Sequence, residues 1–550
     1  MEEVIKLKKQ SQTEREAEFD RISELHNFYT VKMKEDKDTS DLKFDKITIK
    51  RVAFLEKLKS FGFFIYNIDL KSKKFVKMFE NVIEEIDIDY ITDYFIRYVK
   101  KLPTNQGIED EYSITGSYLE EKVINMLELL FKPILMKRLI PDKQINIMDD
   151  LKFSKYLFYK NGYVEIKSTG FDFSLYENLD RKIWKNQILQ RNYLNADDTP
   201  SVYQDFIMRV CGKLDDMPDP KNNKPYDKEL FQKRYNSLRS IIGYNLHNFT
   251  RGKLYLTIFT DSEIGDDGEA NGRTGKTLSV MSLGKMLNTD EKSTVYCEIP
   301  GIGFDPADKH RYDKCNLDTK LVHLNDLKNY FNINNLFSDI TEGISAKKLY
   351  EQPFTIHSKI IATTNKTILI DGESAIDRVT QFEFSDFFNS KRSPLTFYGH
   401  WFFDDWDDAE WSRFDKFNIE CIQHYLKNGL IEAPVINLEK RSLIDHTDLN
   451  FVNWLDYKFK KLDDDGNAIV NRIKINTTTT AEFYRYNKRD LYDDFLEQFP
   501  DFAKKKFFDQ RRFTKWFKFY IRKNYKNVQI TEKQSNSVYY IILTEKAKDE

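Results

Sequence analysis

A chain of 550 residues exceeds what one hydrophobic core can organise, so about three or four domains are expected. Its 40% apolar, 15% aromatic and 32% charged residues fill cores and solvate surfaces, and the net charge of −2 means that any strongly basic region must be local. Four cysteines without CxxC spacing, the charged opening "MEEVIKLKKQSQTERE" and the lack of an apolar run near the roughly 18 residues of a membrane span argue against a zinc or disulfide scaffold, a signal peptide and a membrane partner, and point to a reducing cytoplasm.

In chain order, residues 1 to about 45 are so charged that a helix with frayed ends is expected. From about 50 to 150 apolar positions recur at helical spacing, as in "ITDYFIRYVKKL" and "EEKVINMLELLF", so 1–150 reads as a mainly helical N-terminal region. Residues 151–250 read as a connector of strands and helices. It holds the hairpin "KYLFYKNGYVEI" with Asn161-Gly162 at its turn, the polar loop "DDMPDPKNNKPYDKE" (215–229), and a helix over "LFQKRYNSLRSIIGYNLHNF". Strands and helices then alternate to about 435.

The stretch "NGRTGKT" (271–277) follows the apolar, β-branched "KLYLTIFTD" (253–261) and precedes the helically spaced "KTLSVMSLGKMLN". Strand, glycine loop, Lys-Thr and helix form the context of a phosphate loop. Gly272 and Gly275 let backbone N–H groups turn inward at a helix N-terminus, whose dipole favours anions. Asn271, Gly272, Arg273, Thr274, Gly275, Lys276 and Thr277 are therefore the expected ATP-binding residues. Lys276 supplies the cation, and the Thr277 hydroxyl can ligate Mg²⁺. Ala270 stands where the pattern has glycine. Downstream, "TKLVHLND" (319–326) is an apolar strand tipped by Asn325 and Asp326, candidates for Mg²⁺ and for water activation. A second buried strand, "SKIIATTN" (358–365), ends in Asn365, whose amide can orient an attacking water. Arg378 precedes a further strand and is a candidate finger for a neighbouring subunit's nucleotide. The acidic, aromatic stretch 400–415 reads as a packed structural element rather than a metal site, and no histidine is given a catalytic role.

In this order of motifs the chain resembles helicase superfamily three. It is similar to the helicase part of phage and poxvirus-type primase-helicases, over about 230–435. The resemblance implies an AAA+-like P-loop ATPase domain over 251–435 and a ring, usually a hexamer, that moves along single-stranded or forked DNA. It matches Lys276 and Thr277 to the phosphate loop, Asn325 and Asp326 to the acidic pair, Asn365 to the sensor and Arg378 to the arginine finger. Lys347 and Lys348 fall at its DNA-contacting hairpin. Asn325 departs from the pattern, which has an acid there.

Residues 504–526 hold ten Lys or Arg against the single acid Asp509. Phe513, Trp516, Phe517 and Tyr520 fall on one helical face, leaving Arg511, Arg512, Lys515, Lys518 and Arg522 as expected DNA contacts. A preceding helix "KRDLYDDFLEQF" and a following hairpin complete an order that resembles a winged-helix domain over 436–550. The expected fold class is thus multidomain α/β, with a helical and mixed N-terminal region, a P-loop ATPase and a C-terminal winged helix. The expected activity is ATP-dependent DNA unwinding in the replication of a phage or other mobile element, in the cytoplasm, that of the bacterial host if phage-encoded. No metal-acid set for primer synthesis shows in 1–230, so a separate primase or polymerase is expected as partner. The competing reading is a DNA-binding scaffold or initiator whose weakened ATPase site acts as a nucleotide switch.

Overall fold

The computed structural model describes residues 28–35, 42–67, 73–102, 116–212, 227–263, 272–288, 293–328, 331–350, 352–366, 368, 377–460, 483–525 and 528–545. Most of the predicted loop at 215–229, together with Ala270 and Asn271, lies outside them. The chain is mixed α/β with several sheets, one of them parallel. Among the described residues no helix is long and apolar enough to cross a membrane.

Of the segment expected as a charged helix, 1 to about 45, residues 28–35 and 42–45 are described, and these differ. Tyr29–Glu35 and Leu42–Ile49 pair as antiparallel strands. The period-two alternation of Ile47 and Ile49, both buried against Phe28, decides this over the charge content. A helix at Arg51–Ser60 follows, then the strands Phe63–Asn67, Lys73–Phe79 and Val82–Ile86, joined in one sheet by Ile183–Trp184. The helix Ile88–Lys101 starts where the Asp87 carboxylate accepts from the Tyr90 N–H at 2.7 Å. The predicted hairpin forms from Ser154–Tyr159 and Gly162–Lys167. Its turn is Lys160-Asn161, one position earlier than expected, because Tyr159 already pairs with Gly162.

The centre is a five-stranded, wholly parallel sheet. Its strands are β1 (Leu256–Asp261), β2 (Tyr296–Pro300), β3 (Leu321–Asn325), β4 (Lys359–Thr363) and β5 (Val379–Phe384), laid side by side as β2-β3-β4-β1-β5. Nearly every residue of β1, β3 and β4 is buried, as strands covered on both faces require. On one face Phe259, Leu321, Ile361 and Phe382 pack with helices α1 (Lys228–Leu246), α2 (Lys276–Leu287) and α3 (Asp408–Asn428). On the other, Ile258, Val322, Leu324 and Ile360 pack with Tyr312, Ile340, Ile344 and Phe354. The acidic, aromatic stretch is structural, as expected. Phe402, Phe403 and Trp406 are buried, and Asp407 caps α3 at Glu410. All four cysteines are buried free thiols.

Two helices, α4 (Leu438–His446) and α5 (Leu449–Lys460), lead into the C-terminal part. There β6 (Phe483–Asn487), α6 (Lys488–Gln498), α7 (Gln510–Asn524), β7 (Val528–Ser535) and β8 (Val538–Glu545) follow in the predicted order of helix, helix and hairpin. The strand β6 adds itself to β8, giving the order β6-β8-β7. Phe513, Trp516, Phe517 and Tyr520 are the buried stripe of α7, packed on Phe451, Leu443 and Ile541.

Candidate functional site

The chain climbs β1 and returns through α2, so the described residues of the glycine loop, Gly272 to Thr277, sit at the carboxyl edge of the sheet. In open parallel sheets that edge is where ligands bind. Gly272 (φ 65°), Arg273 (φ 58°) and Gly275 (φ 98°) are all left-handed. Gly275 is required twice, by its φ and because a Cβ there would stand 2.7 Å from the Phe206 ring. It opens α2 without any side-chain cap, which leaves the first N–H groups of the helix without an intrahelical partner. The other glycine, Gly272, lies so close to Asn365 that a Cβ would be 3.7 Å from its Nδ2.

Lys276 does not project into solvent. Its ammonium donates to Asp261 Oδ1 at 2.5 Å and to Asn365 Oδ1 at 2.8 Å, with side-chain exposures of 7% for Lys276 and 1% for Asp261. Burial pulls the Lys276 pKa below the ordinary lysine value, against the opposing pull of Asp261. The Thr274 hydroxyl donates to the same Asp261 oxygen, while Asp261 Oδ2 is buried with no hydrogen-bond partner. A buried carboxylate oxygen left unbonded beside a buried ammonium and an uncapped helix start makes this a site with unfilled polar capacity. Thr277, one residue on, is exposed.

Arg441 of α4 closes the same corner from 180 residues downstream of Asp261. It is buried and donates to the backbone oxygen of Asp261, to Thr260 Oγ1 at 3.0 Å and to the Asn365 backbone oxygen at 2.8 Å. Burial lowers its pKa, with Asp261, Asp445 and Glu383 opposing. The Glu383 carboxylate accepts from the N–H groups of Ile436 and Asn437, which docks the start of α4 on the end of β5.

At the tip of β3, Asp326 takes a left-handed φ of 62° and donates its N–H to Thr363 Oγ1 at 3.1 Å. Its carboxylate is exposed and near enough to Lys276 to favour the ammonium's charge. Asn325 is engaged at both ends of its amide. Its Oδ1 accepts from the Thr363 hydroxyl at 3.0 Å, and its Nδ2 donates to Glu298 Oε1, midway along β2, at 2.8 Å.

The carboxyl edge thus gathers Gly272, Thr274, Gly275, Lys276, Asn325, Asp326 and Asn365. Arg378 is elsewhere. Tyr255 and Arg378 precede the paired residues Leu256 and Val379, so Arg378 stands at the amino edge of the sheet, stacked over Phe337. The six residues of β1 at about 3.3 Å each separate it by about 20 Å from the Lys276 level. Lys347 and Lys348 are also at the amino edge, in the turn between Ile344–Ala346 and Phe354–Ile356, which leads directly into β4. Lys348 is half-buried and bonded to Asn316, whereas Leu349, Tyr350, Gln352 and Pro353 of that turn are exposed. On α7, Arg511, Arg512, Lys515 and Arg522 are exposed, and the Arg512 guanidinium also lies over Trp516. Lys518 instead pairs with Glu532 of β7, which Lys488 also reaches at 3.0 Å.

Asp261, Glu298 and Arg441 are residues that sequence reasoning misses. Asp261 leaves a signal, as the acid ending an apolar strand just before the loop. Glu298 and Arg441 leave none, because their partners are 27 and 180 residues away.

No protein-family model matches the chain, and neither does any curated protein. Among solved structures, one described as the A form apo structure of the NrS-1 C-terminal region aligns with 72% of this chain and 96% of its own, at 13% identity and a TM-score of 0.28.

Proposed function

We propose that this chain is an ATP-driven DNA translocase, a ring-forming helicase in the replication of a phage or other mobile element. One observation carries the reading. A buried lysine in the first turn of an uncapped helix follows a left-handed glycine loop, at the carboxyl edge of a five-stranded parallel sheet, within reach of Asn365 and beside Asp326. Such an edge favours a polyphosphate through N–H groups, helix dipole and ammonium together.

In this reading residues 251–435 are a P-loop ATPase of AAA+ type, preceded by regions 1–150 and 151–250. The loop from Asn271 to Thr277 cradles the phosphates, and Lys276 exchanges its bond to Asp261 for the β and γ phosphates of ATP. Asn365 orients the attacking water. The exposed Thr277 hydroxyl and Asp326 carboxylate suit Mg²⁺, which takes one or two protein oxygens alongside phosphate, and bound there it would neutralise charge developing on the phosphates. Asn325 is spent on Glu298 and Thr363 and contributes little to that ion. Arg378, about 20 Å from its own phosphate loop, serves the nucleotide of the next subunit in a hexamer. Residues 436–550 are a winged-helix module whose Arg511, Arg512, Lys515 and Arg522 meet DNA phosphates. Lys347 adds a DNA contact at the amino edge, and a separate primase or polymerase completes the machinery.

The test is ATP hydrolysis with and without single-stranded DNA. Hydrolysis that rises several-fold with DNA supports the motor. The neutral Asn325 at the β3 tip favours a second reading, a DNA-binding scaffold whose site acts as a nucleotide switch. Tight ATP binding without turnover, with or without DNA, would select it.

A further inference from the structure

Hydrolysis of a phosphoanhydride asks for two separate things near the strand tips, an anionic group toward the metal-bearing side of the phosphates and a group that accepts a proton from the attacking water. The β3 tip carries only one carboxylate, Asp326, because Asn325 is an amide and cannot take up a proton. The neighbouring strand supplies a second carboxylate. Across β2, β3 and β4 hydrogen bonds run from Tyr296 through His323, Thr363 and Asn325 to Glu298, and the Tyr296 hydroxyl also reaches Glu298 Oε2 directly at 3.3 Å. His323 is fully buried, and burial favours its neutral ring. A neutral ring has one donor and one acceptor. The Thr363 hydroxyl gives its proton to Asn325 Oδ1 at 3.0 Å, so it must accept from His323 Nε2 at 3.2 Å. His323 Nδ1 therefore accepts the Tyr296 hydroxyl at 2.8 Å. With its oxygen on Thr363, the Asn325 amide is fixed with Nδ2 donating to Glu298 Oε1. Every donor in the line points toward Glu298. A neutral His323 also forms no ion pair with Glu298 despite a separation of 3.9 Å. The Glu298 side chain remains 42% exposed, open to water.

We infer that Glu298, on β2, is the proton acceptor for the attacking water, the role an acid at position 325 would otherwise fill, and that Asn325 is the amide that aims it. This rests on the nucleotide-hydrolysing reading given above. In the step, water oxygen bonds to the γ-phosphorus while the bond from that phosphorus to the β-γ bridging oxygen breaks. ADP leaves with the electron pair, and the water proton passes to the Glu298 carboxylate and then to solvent.

The experiment compares the full chain with Glu298→Gln and Glu298→Asp, scoring ATP turnover against binding of a fluorescent ATP analogue. Gln keeps the length of the side chain and its acceptor for Asn325 but cannot take the proton. Asp keeps the proton acceptor and shortens the arm. General-base catalysis contributes about 10²–10⁴-fold, so Glu298→Gln is expected to bind nucleotide as the parent does and to turn over at least about 100-fold more slowly. Glu298→Asp is expected to lie between the two. A Gln variant as fast as or faster than Asp, or one that loses nucleotide binding along with turnover, overturns the assignment, since a structural hydrogen-bond acceptor behaves that way. A parent chain that neither binds nor hydrolyses ATP overturns the underlying reading instead.

Discussion

Removing Lys276 is the obvious way to abolish the proposed nucleotide turnover, and the structure says what else it removes. Lys276→Met keeps most of the buried volume but strands Asp261, whose side chain is 1% exposed. At the observed 2.5 Å separation and an effective dielectric of about 20, Coulomb's law gives about 7 kcal/mol of gross attraction. Desolvation cancels much of that in the intact pair, but breaking a buried pair from one side typically costs about 3–5 kcal/mol, because a charge remains buried without compensation. For a unit of about 200 residues this is a fall of roughly 6–20 °C in melting temperature. Lys276→Met is therefore expected to be inactive and destabilised together. Adding Asp261→Asn removes the stranded charge and keeps an acceptor for the Thr274 hydroxyl. The double variant is expected to recover stability to within about 1 kcal/mol of the parent while staying inactive, with a coupling energy of at least about 2 kcal/mol across the four-protein cycle. Hydrogen exchange of the β1 and α2 amides in urea reads the local stability, and phosphate release reads activity. A Lys276→Met protein as stable as the parent, with coupling below about 0.5 kcal/mol, would refute the buried pair.

Arg378→Ala is expected to bind ATP normally and to hydrolyse it about 10³-fold more slowly. Mixing it with the Lys276→Met/Asp261→Asn protein should restore turnover, and an absence of any mixing ratio above the sum of the two, despite subunit exchange, would place Arg378 in a structural role over Phe337. Neutralising Arg511, Lys515 or Arg522 should weaken DNA binding and lower the salt slope by about 0.7–0.9 for each phosphate that is no longer neutralised, measured by fluorescence anisotropy across a salt series. Lys518→Ala, tied to Glu532, should leave that slope unchanged and loosen the β7–β8 hairpin. Burial pushes the pKa of His247 down to about 4 and that of His323 to about 3, against 6.5 when exposed. Below about pH 6.5 the unfolded chain binds protons that the folded chain refuses, so stability falls with pH by about 1.4 kcal/mol per unit for each ring until the folded pKa is passed. Urea unfolding between pH 7 and pH 4 should show this slope, and His323→Gln should remove about one proton from it.

What lies within one element is readable along the chain. The apolar runs of β1, β3 and β4, the start of α2 at Lys276 and the buried stripe of α7 all follow from periods of two or 3.6 and from glycine or cap residues at their ends. Within the segment read as a helix up to about 45, Tyr29–Glu35 and the start of Leu42–Ile49 are strands, because charge content masks their period and only pairing with a partner strand shows it. The site is legible in part for the same reason. Lys276, Asp326 and Asn365 advertise themselves at ends of local elements. The Lys276 bond to Asn365, the Asn325 bond to Glu298 and the insertion of Arg441 depend on the strand order β2-β3-β4-β1-β5. That order is set by crossovers which bring together tips far apart in sequence, so no local pattern encodes who meets whom. Arg378 makes the point from the other side. Its distance from Asn365 is thirteen residues along the chain, yet the parallel return of β5 carries it to the opposite edge of the sheet.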